Sequence, residues 1–171
     1  MFTNNYIKYR EMMFCCSRDV GGFVNMTGST HQASASYSAE SDFGTYMRFG
    51  YCATPNTNTP GVYFGSGSTP ATREDYKLES VITSGLTITN PSKVAITAEG
   101  EGKYIAQSVF TVHNNSDADI TIGEIGYYAK TLNGTSLIYV DLFDRTVLDE
   151  PVTIPAGQGK TIIYKIVFNQ S

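Results

Sequence analysis

Downstream of Val62 the chain reads strand, turn, strand almost without interruption, and its last segment shows the rule most clearly. In KTIIYKIVF (160–168) the side chains of Ile162, Tyr164, Ile166 and Phe168 fall on one face, and Ile163, Lys165 and Val167 on the other. A period of two belongs to an extended chain with one side turned toward a core. The runs VYF, VITSGLTITN, KVAIT, KYIAQSVFTVHN, SLIYVDLF, RTVL and VTI are each bounded by Gly, Pro, Asn, Ser or Asp. That punctuation marks strand ends. TREDYKLES is the one candidate for a helical turn, with Thr72 as its cap and Asp75 three residues later.

DITIGEIGYYAK breaks the alternation in an informative way. Ile120 and Ile122 share one parity, while Ile125 and Tyr127 have the opposite one. A β-bulge at Gly123-Glu124 restores a continuous apolar face, and glycine is the residue that permits it. Asn133-Gly134 then supplies a hairpin turn of the type that needs positive φ. Closely spaced strands with almost no helical periodicity predict an all-β fold. An antiparallel β-sandwich, immunoglobulin-like or jelly-roll-like, comes first and a closed barrel second.

Residues 1–60 have a different texture. GGFVNMTGSTHQASASYSAESDFG contains few large aliphatic side chains and cannot bury much apolar surface alone. The expectation is an irregular, extended N-terminal arm used for anchoring, followed by a sandwich domain over 61–171. Within the arm, Gly44 to Cys52 alternates as a strand, and ATPNTNTPG marks the boundary.

The chain of 171 residues carries a net charge of −4 without a Lys/Arg cluster, which argues against a nucleic-acid partner. No run approaches the roughly 20 apolar residues of a spanning helix. The N-terminal MFTNNYIKYREMMFCC lacks the apolar segment of a secretory signal, so the protein is expected to act where it is made or to leave the cell by a route other than secretion. Cys15, Cys16 and Cys52 form neither a disulfide framework nor a zinc pattern and read as reduced thiols.

The motif Gly159-Lys160-Thr161 ends like a phosphate-binding loop. Ile154 stands where the first glycine is required, and a period of two follows where a helix is needed. Pro155 to Gly159 reads instead as a hairpin loop leading into a final strand, Thr161 to Phe168. His31 and His113 have no second ligand at useful spacing and read as surface turn histidines. The acids Asp117, Asp119 and Glu124, and likewise Asp141, Asp144 and Asp149, read as solvated loop charges, because neither set forms a calcium loop. Ser66, between Gly65 and Gly67, reads as turn chemistry. Asn25, Asn114 and Asn133 begin Asn-x-Ser/Thr triplets that carry no weight without a secretory signal. Tyr104, Tyr127, Tyr128, Tyr139 and Tyr164 read as half-buried strand residues; exposed ones would suit sugar stacking or a protein interface. The sequence therefore assigns no catalytic, cofactor-binding or metal-binding residue, and no cofactor.

Several segments carry a resemblance. GVYFGSGSTP (61–70) with EDYKLE (74–79), the pairing of FTVHNN (110–115) with ITIGEIGY (120–127), and above all DRTVLDEPVTIPAG (144–157) resemble a module of small virion structural proteins from tailed bacteriophages, over residues 61–169. The resemblance implies a non-enzymatic structural protein of the virion, made in the host cytoplasm and assembled in multiple copies on the head, neck or tail. Its implied partners are other virion proteins (capsid, portal or neck, or tail) and further copies of itself, with no nucleic acid and no membrane. The alternative function is a carbohydrate-binding or host-adhesion sandwich that contacts a surface glycan.

Overall fold

The computed structural model describes residues 1–15, 19–34, 60–89, 95–100, 103–133 and 137–169. The expected strand from Gly44 to Cys52, the connection that follows it, and the turn at Gly134 lie outside these residues.

The elements are helix α1 (Asn4–Cys15) and strands β1 (Asp19–Val24), β2 (Thr30–Ser34), β3 (Gly61–Gly65), β4 (Leu86–Thr89), β5 (Ala95–Ala98), β6 (Lys103–Asn114), β7 (Ile120–Asn133), β8 (Leu137–Ile154) and β9 (Gly159–Asn169). One antiparallel sheet has the order β3-β7-β8. In the other, β9 pairs along β6 from Lys103 to His113, while β4 and β5 pair with the two ends of β6. Both sheets are open, and they pack face to face as an all-β sandwich.

The core follows from the alternation. Val62 and Phe64 of β3, Ile122, Ile125 and Tyr127 of β7, and Ile154 of β8 meet Phe110 and Val112 of β6 and Ile162, Tyr164 and Ile166 of β9. Phe64 and Phe110 touch edge to face across the sandwich, their centroids 5.7 Å apart. The register break expected at Gly123 is present, but its extra residues lie in the partner strand: between the pairs Ile122–Val152 and Glu124–Val147, Gly123 alone faces residues 148–151 of β8, and Ile125 and Tyr127 lie in the core with Ile122. LIYVDLF, RTVL and VTI join into one strand, with a second shift opposite Tyr127 and Tyr128. TREDYKLES forms a turn without continuing into a helix, held by Thr72 N–H and Oγ1 donating to Asp75, each at 2.9 Å.

Pro155 to Gly159 is not a hairpin loop. β8 ends paired with β7 (Ile120 opposite Ile154), whereas β9 pairs with β6, so this connection carries the chain from one sheet to the other. Its anchor is the fully buried Asn114. The Asn114 side-chain amide donates to the Ile154 and Ala118 carbonyls, its backbone N–H donates to Gln158 O, and its carbonyl accepts from Gly157 N–H. The alternation of β9 was legible in the sequence, but its partner strand was not.

The second face of the β3-β7-β8 sheet is covered as well. Tyr63, Leu78, Tyr128, Val140 and Leu142 form a smaller cluster under residues 66–81, and Leu78 N–H donates to the Tyr128 hydroxyl at 2.8 Å. The covering segment passes so close to the bulge that a Cβ at Gly123 would fall 2.5 Å from the Gly67 carbonyl oxygen. Gly123→Ala should therefore force the backbones apart and cost about 1–3 kcal/mol, read as a lower midpoint in urea denaturation. An unchanged midpoint would show that the covering segment yields freely.

Residues 1–34 differ from an extended arm wherever they are described. Helix α1 packs on the β1–β2 hairpin and on β8, and Tyr9, Phe23 and Ala33 join the main core cluster beside Phe143, Tyr127 and Ala129. The apolar side chains are sparse but spaced so that a helix and a hairpin together gather them, which no single local window reveals.

Candidate functional site

Three buried polar constellations lie on β7 and β8, and none was anticipated as such. The largest centres on Arg145, whose side chain is 4 % exposed. Its Nε donates to Glu124 Oε2 at 2.8 Å and its Nη1 to Asp75 Oδ2 at 2.8 Å. Its Nη2 donates to the Thr69 carbonyl at 3.1 Å and lies 3.6 Å from Glu79 Oε2. Glu124, fully buried, also accepts backbone N–H groups from Gly67, Glu79 and Ser80. Glu79 accepts the N–H groups of Ser68 and Thr69. One guanidinium and its acids thus fasten residues 67–80 to the sheet. The glycines of GSG matter here: a Cβ at Gly65 or Gly67 would lie within 2.6 Å of Glu124 Oε1.

The network biases ionisation as its geometry requires. Burial pushes the Asp75 carboxyl up, but hydrogen bonds from Arg145 and Thr72 outweigh it and hold the group below the usual carboxylate range. Burial alone would lower the Arg145 pKa; Asp75 and Glu124 raise it instead. Glu79, at the solvent edge, is held low by hydrogen bonds from Thr69.

The second constellation centres on Asp144. Tyr164 of β9 donates a short hydrogen bond to Oδ2, Thr146 Oγ1 donates to the same oxygen at 3.1 Å, and the Met1 nitrogen lies 3.0 Å from Oδ1. Burial, then the charge of Asp144, pushes the Tyr164 hydroxyl well above the ordinary tyrosine value. In the third, His31 Nε2 of β2 lies 2.9 Å from Asp141 Oδ1, and Thr131 Oγ1 donates to Asp141 Oδ2. The His31 ring stacks on that of Tyr139, with centroids 3.8 Å apart, and on that of Phe23 at 5.6 Å.

These positions correct several expectations. His31 is a buried strand residue locked to Asp141, not a surface turn histidine, because the hairpin lays it against β8. Glu124, Asp141 and Asp144 are buried strand acids, not solvated loop charges. Their neighbours Asp117 and Asp119 are exposed in the 115–119 turn, and Asp149 is exposed on β8. His113 is exposed at the end of β6 and bonds to Asn115, as expected. Ser66 is not in a turn: it extends the β3 edge, its N–H donating to Ser80 O and its Oγ to Ser80 Oγ, and the Asn114 amide is wholly engaged inside the fold. Tyr127, Tyr128 and Tyr164 are buried, Tyr139 is half-buried and Tyr104 is exposed.

Among the described residues no group of three His, Cys, Asp or Glu side chains is placed to hold a metal ion. One crevice of about 170 Å³ opens between α1 and the 73–76 turn, lined by Asn4, Asn5, Lys8, Val24, Arg73 and Tyr76 among others. The fold and its buried networks define an open antiparallel β-sandwich whose ionisable core groups fasten covering segments to one sheet. No protein-family model, no curated protein and no solved structure matches the chain.

Removing the central cation leaves Glu124 buried and unpaired, so Arg145→Met should cost about 3–5 kcal/mol. The Glu124→Gln/Arg145→Met double variant should lose less than the sum of the two single changes in a urea double-mutant cycle. Additive losses would mean that the pair is not coupled.

The pH dependence follows from the two directions. Asp75 is lowered in the folded chain, so its contribution is complete above about pH 4 and is lost as pH falls through the folded value. Tyr164 is raised, so its contribution is complete below about pH 10 and is lost as pH rises through the folded value. Urea midpoints should fall on both flanks, and Tyr164→Phe should make the alkaline one less steep, the remainder belonging to Tyr127 and Tyr128, which burial also raises. An unaltered alkaline limb in Tyr164→Phe would refute the assignment to Tyr164.

Proposed function

We propose that the chain is a non-enzymatic structural component of a tailed-bacteriophage virion, made in the host cytoplasm and assembled in multiple copies on the head, neck or tail through its N-terminal region. The resemblance over residues 61–169 supplies the class of particle. The observation that carries the assembly role is the way residues 1–34 cover the open edge of β8. Thr3 N–H donates to Phe143 O, Arg145 N–H donates to Met1 O, and Met26 N–H donates to Val140 O, so the edge from Val140 to Arg145 is occupied by added backbone. Strand addition to a sheet edge is a general mode of protein–protein docking, and the same chemistry serves neighbouring subunits.

The use of the ionisable groups supports a structural role. His31, Glu124, Asp141, Asp144 and Arg145 each hold one segment of the fold against another. A sugar-binding reading favours neighbouring exposed aromatic rings. Among the residues whose burial is described, Tyr104 is the only exposed Tyr or Phe, which gives the adhesion alternative less support.

The test is incorporation of a tagged chain into particles during infection, comparing the full chain, a deletion of residues 1–34, and Thr3→Pro. Proline removes the N–H that bonds to Phe143 while leaving the rest of the N-terminal region in place. Both variants should be depleted from purified particles at least tenfold; Thr3→Pro, which keeps Tyr9, Phe23 and Ala33 available to the core, should remain soluble in the lysate. Incorporation of both at the level of the full chain would overturn the proposal.

A further inference from the structure

Among the described residues β9 has one strand partner. It pairs with β6 in unbroken register, from Gly159 opposite His113 to Asn169 opposite Lys103, and its other edge meets no described strand. The remaining margins of the two sheets are blunted. Residues 80–82 lie along β3, and residues 1–3 and 25–26 lie along β8 from Val140 to Arg145. Further along β8 the register breaks over residues 148–151, where Asp149 and Glu150 are exposed and Pro151 has no N–H to offer. On the far side of β6 the margin strands β4 and β5 have four residues each. Capping, charge, proline, irregularity and shortness are the devices that keep sheet edges from associating. β9 has neither a proline nor a register break, and its only charges are Lys160 and Lys165.

The side chains beside this edge are aliphatic and turned to solvent. On the outer face Ile163 stands opposite Val109, and Val167 opposite Ile105. Ile163 is 53 % exposed, and Val109 and Val167 are 39 % exposed each. Such a row beside an open backbone edge offers both the hydrogen bonds and the apolar area that strand addition uses.

The lysines decide what fits. In antiparallel pairing with β9 of a second copy, a centre on Lys165 sets two cations directly opposite each other, which is destabilising. A centre on Ile163 sets each Lys165 against Thr161, each Val167 against Gly159, and Ile163 against its own copy. A centre one residue to either side places Ile163 against Thr161 or Lys165 instead. The Ile163 register therefore joins Val109 and Ile163 of both copies into one aliphatic row across β6-β9-β9-β6. It is two-fold symmetric, and it closes at two copies because each chain brings one such edge.

We propose that β9 is a self-association edge: two copies of the chain pair antiparallel along β9, about a two-fold axis at Ile163, and join their β6–β9 sheets into one. The occupant is a second copy because this register opposes no cation to a cation and no exposed isoleucine to a charge. The interface lies on the other sheet from the β8 edge that residues 1–34 cover, and it does not depend on the virion reading.

Light scattering of the full chain under reducing conditions, over a wide range of protein concentration, reads the association. A reversible monomer–dimer equilibrium is expected, and Ile163→Lys should weaken it at least tenfold. Because Ile163 is exposed, this change should leave the urea midpoint near that of the parent, which separates lost association from lost folding. Cross-linking reads the register. With Cys15, Cys16 and Cys52 replaced by serine, Ile163→Cys should form a disulfide between copies under mild oxidation, since directly opposed residues of antiparallel strands lie within disulfide reach. Differently tagged Thr161→Cys and Lys165→Cys chains should link to each other, while Lys165→Cys alone stays at background. Thr153→Cys, exposed on β8, sets that background, and Ile163→Cys should exceed it at least tenfold. Monomer alone at every concentration would overturn the proposal, as would a dimer that Ile163→Lys leaves intact. A Lys165→Cys homodimer as abundant as that of Ile163→Cys would overturn the axis at Ile163. None of these results touches the incorporation test, so the two proposals fail separately.

Discussion

The Arg145–Glu124 pair is the constraint around which one whole side of the molecule is arranged. A carboxylate on β7 and a guanidinium on β8 would be expensive to bury alone. They are buried together because residues 66–81 close over them and supply the remaining hydrogen-bond partners: Thr69 O for the cation, and the N–H groups of Gly67, Glu79 and Ser80 for the anion. The closure depends in turn on glycine at 65, 67 and 123, where a Cβ would meet Glu124 or the Gly67 backbone. Charge, bulge and glycine placement are thus one solution to one problem, how a loop without regular structure can lie flat on a sheet.

Edge control is the second theme. The edge of β3 is paired with residues 80–82, through Ser66 N–H to Ser80 O and Ile82 N–H to Phe64 O. The edge of β8 is paired with residues 1–3 and 25–26. Open sheets present unpaired backbone that invites association, and this chain covers two such edges with its own segments. That use of local segments fits the proposed assembly role, because a segment that caps an edge within one molecule has the backbone chemistry to cap such an edge in another.

The strands were legible because their alternation is local. Ile162, Tyr164, Ile166, Phe110 and Val112 point to the core as their parity predicts, and the parity break at Gly123 announced a register break that is present, with its extra residues in β8. The burial of the acids was not legible. Correct parity places Glu124 on the face of β7 opposite Ile125, which would be solvent in a two-layer sandwich; a third covering segment makes it interior. His31 and Asp141 lie 110 positions apart, and nothing in either neighbourhood names the other. Pro155 to Gly159 has hairpin composition, yet a turn's residues do not specify whether the next strand returns to the same sheet.

By itself, the sequence determined that the chain would be all-β, where most of its strands run, which of their faces turn inward, and that Gly-Lys-Thr belongs with the final strand. Those are properties of period and backbone preference, set within a few residues. Only the tertiary structure decided which strands pair, that β9 joins β6 across the sandwich, and that residues 1–34 form a docked body whose His31, like Arg145 elsewhere, finds its acid far along the chain. Such choices depend on desolvation and on partners brought together by folding, and a charged residue has no burial until the segment that covers it is in place.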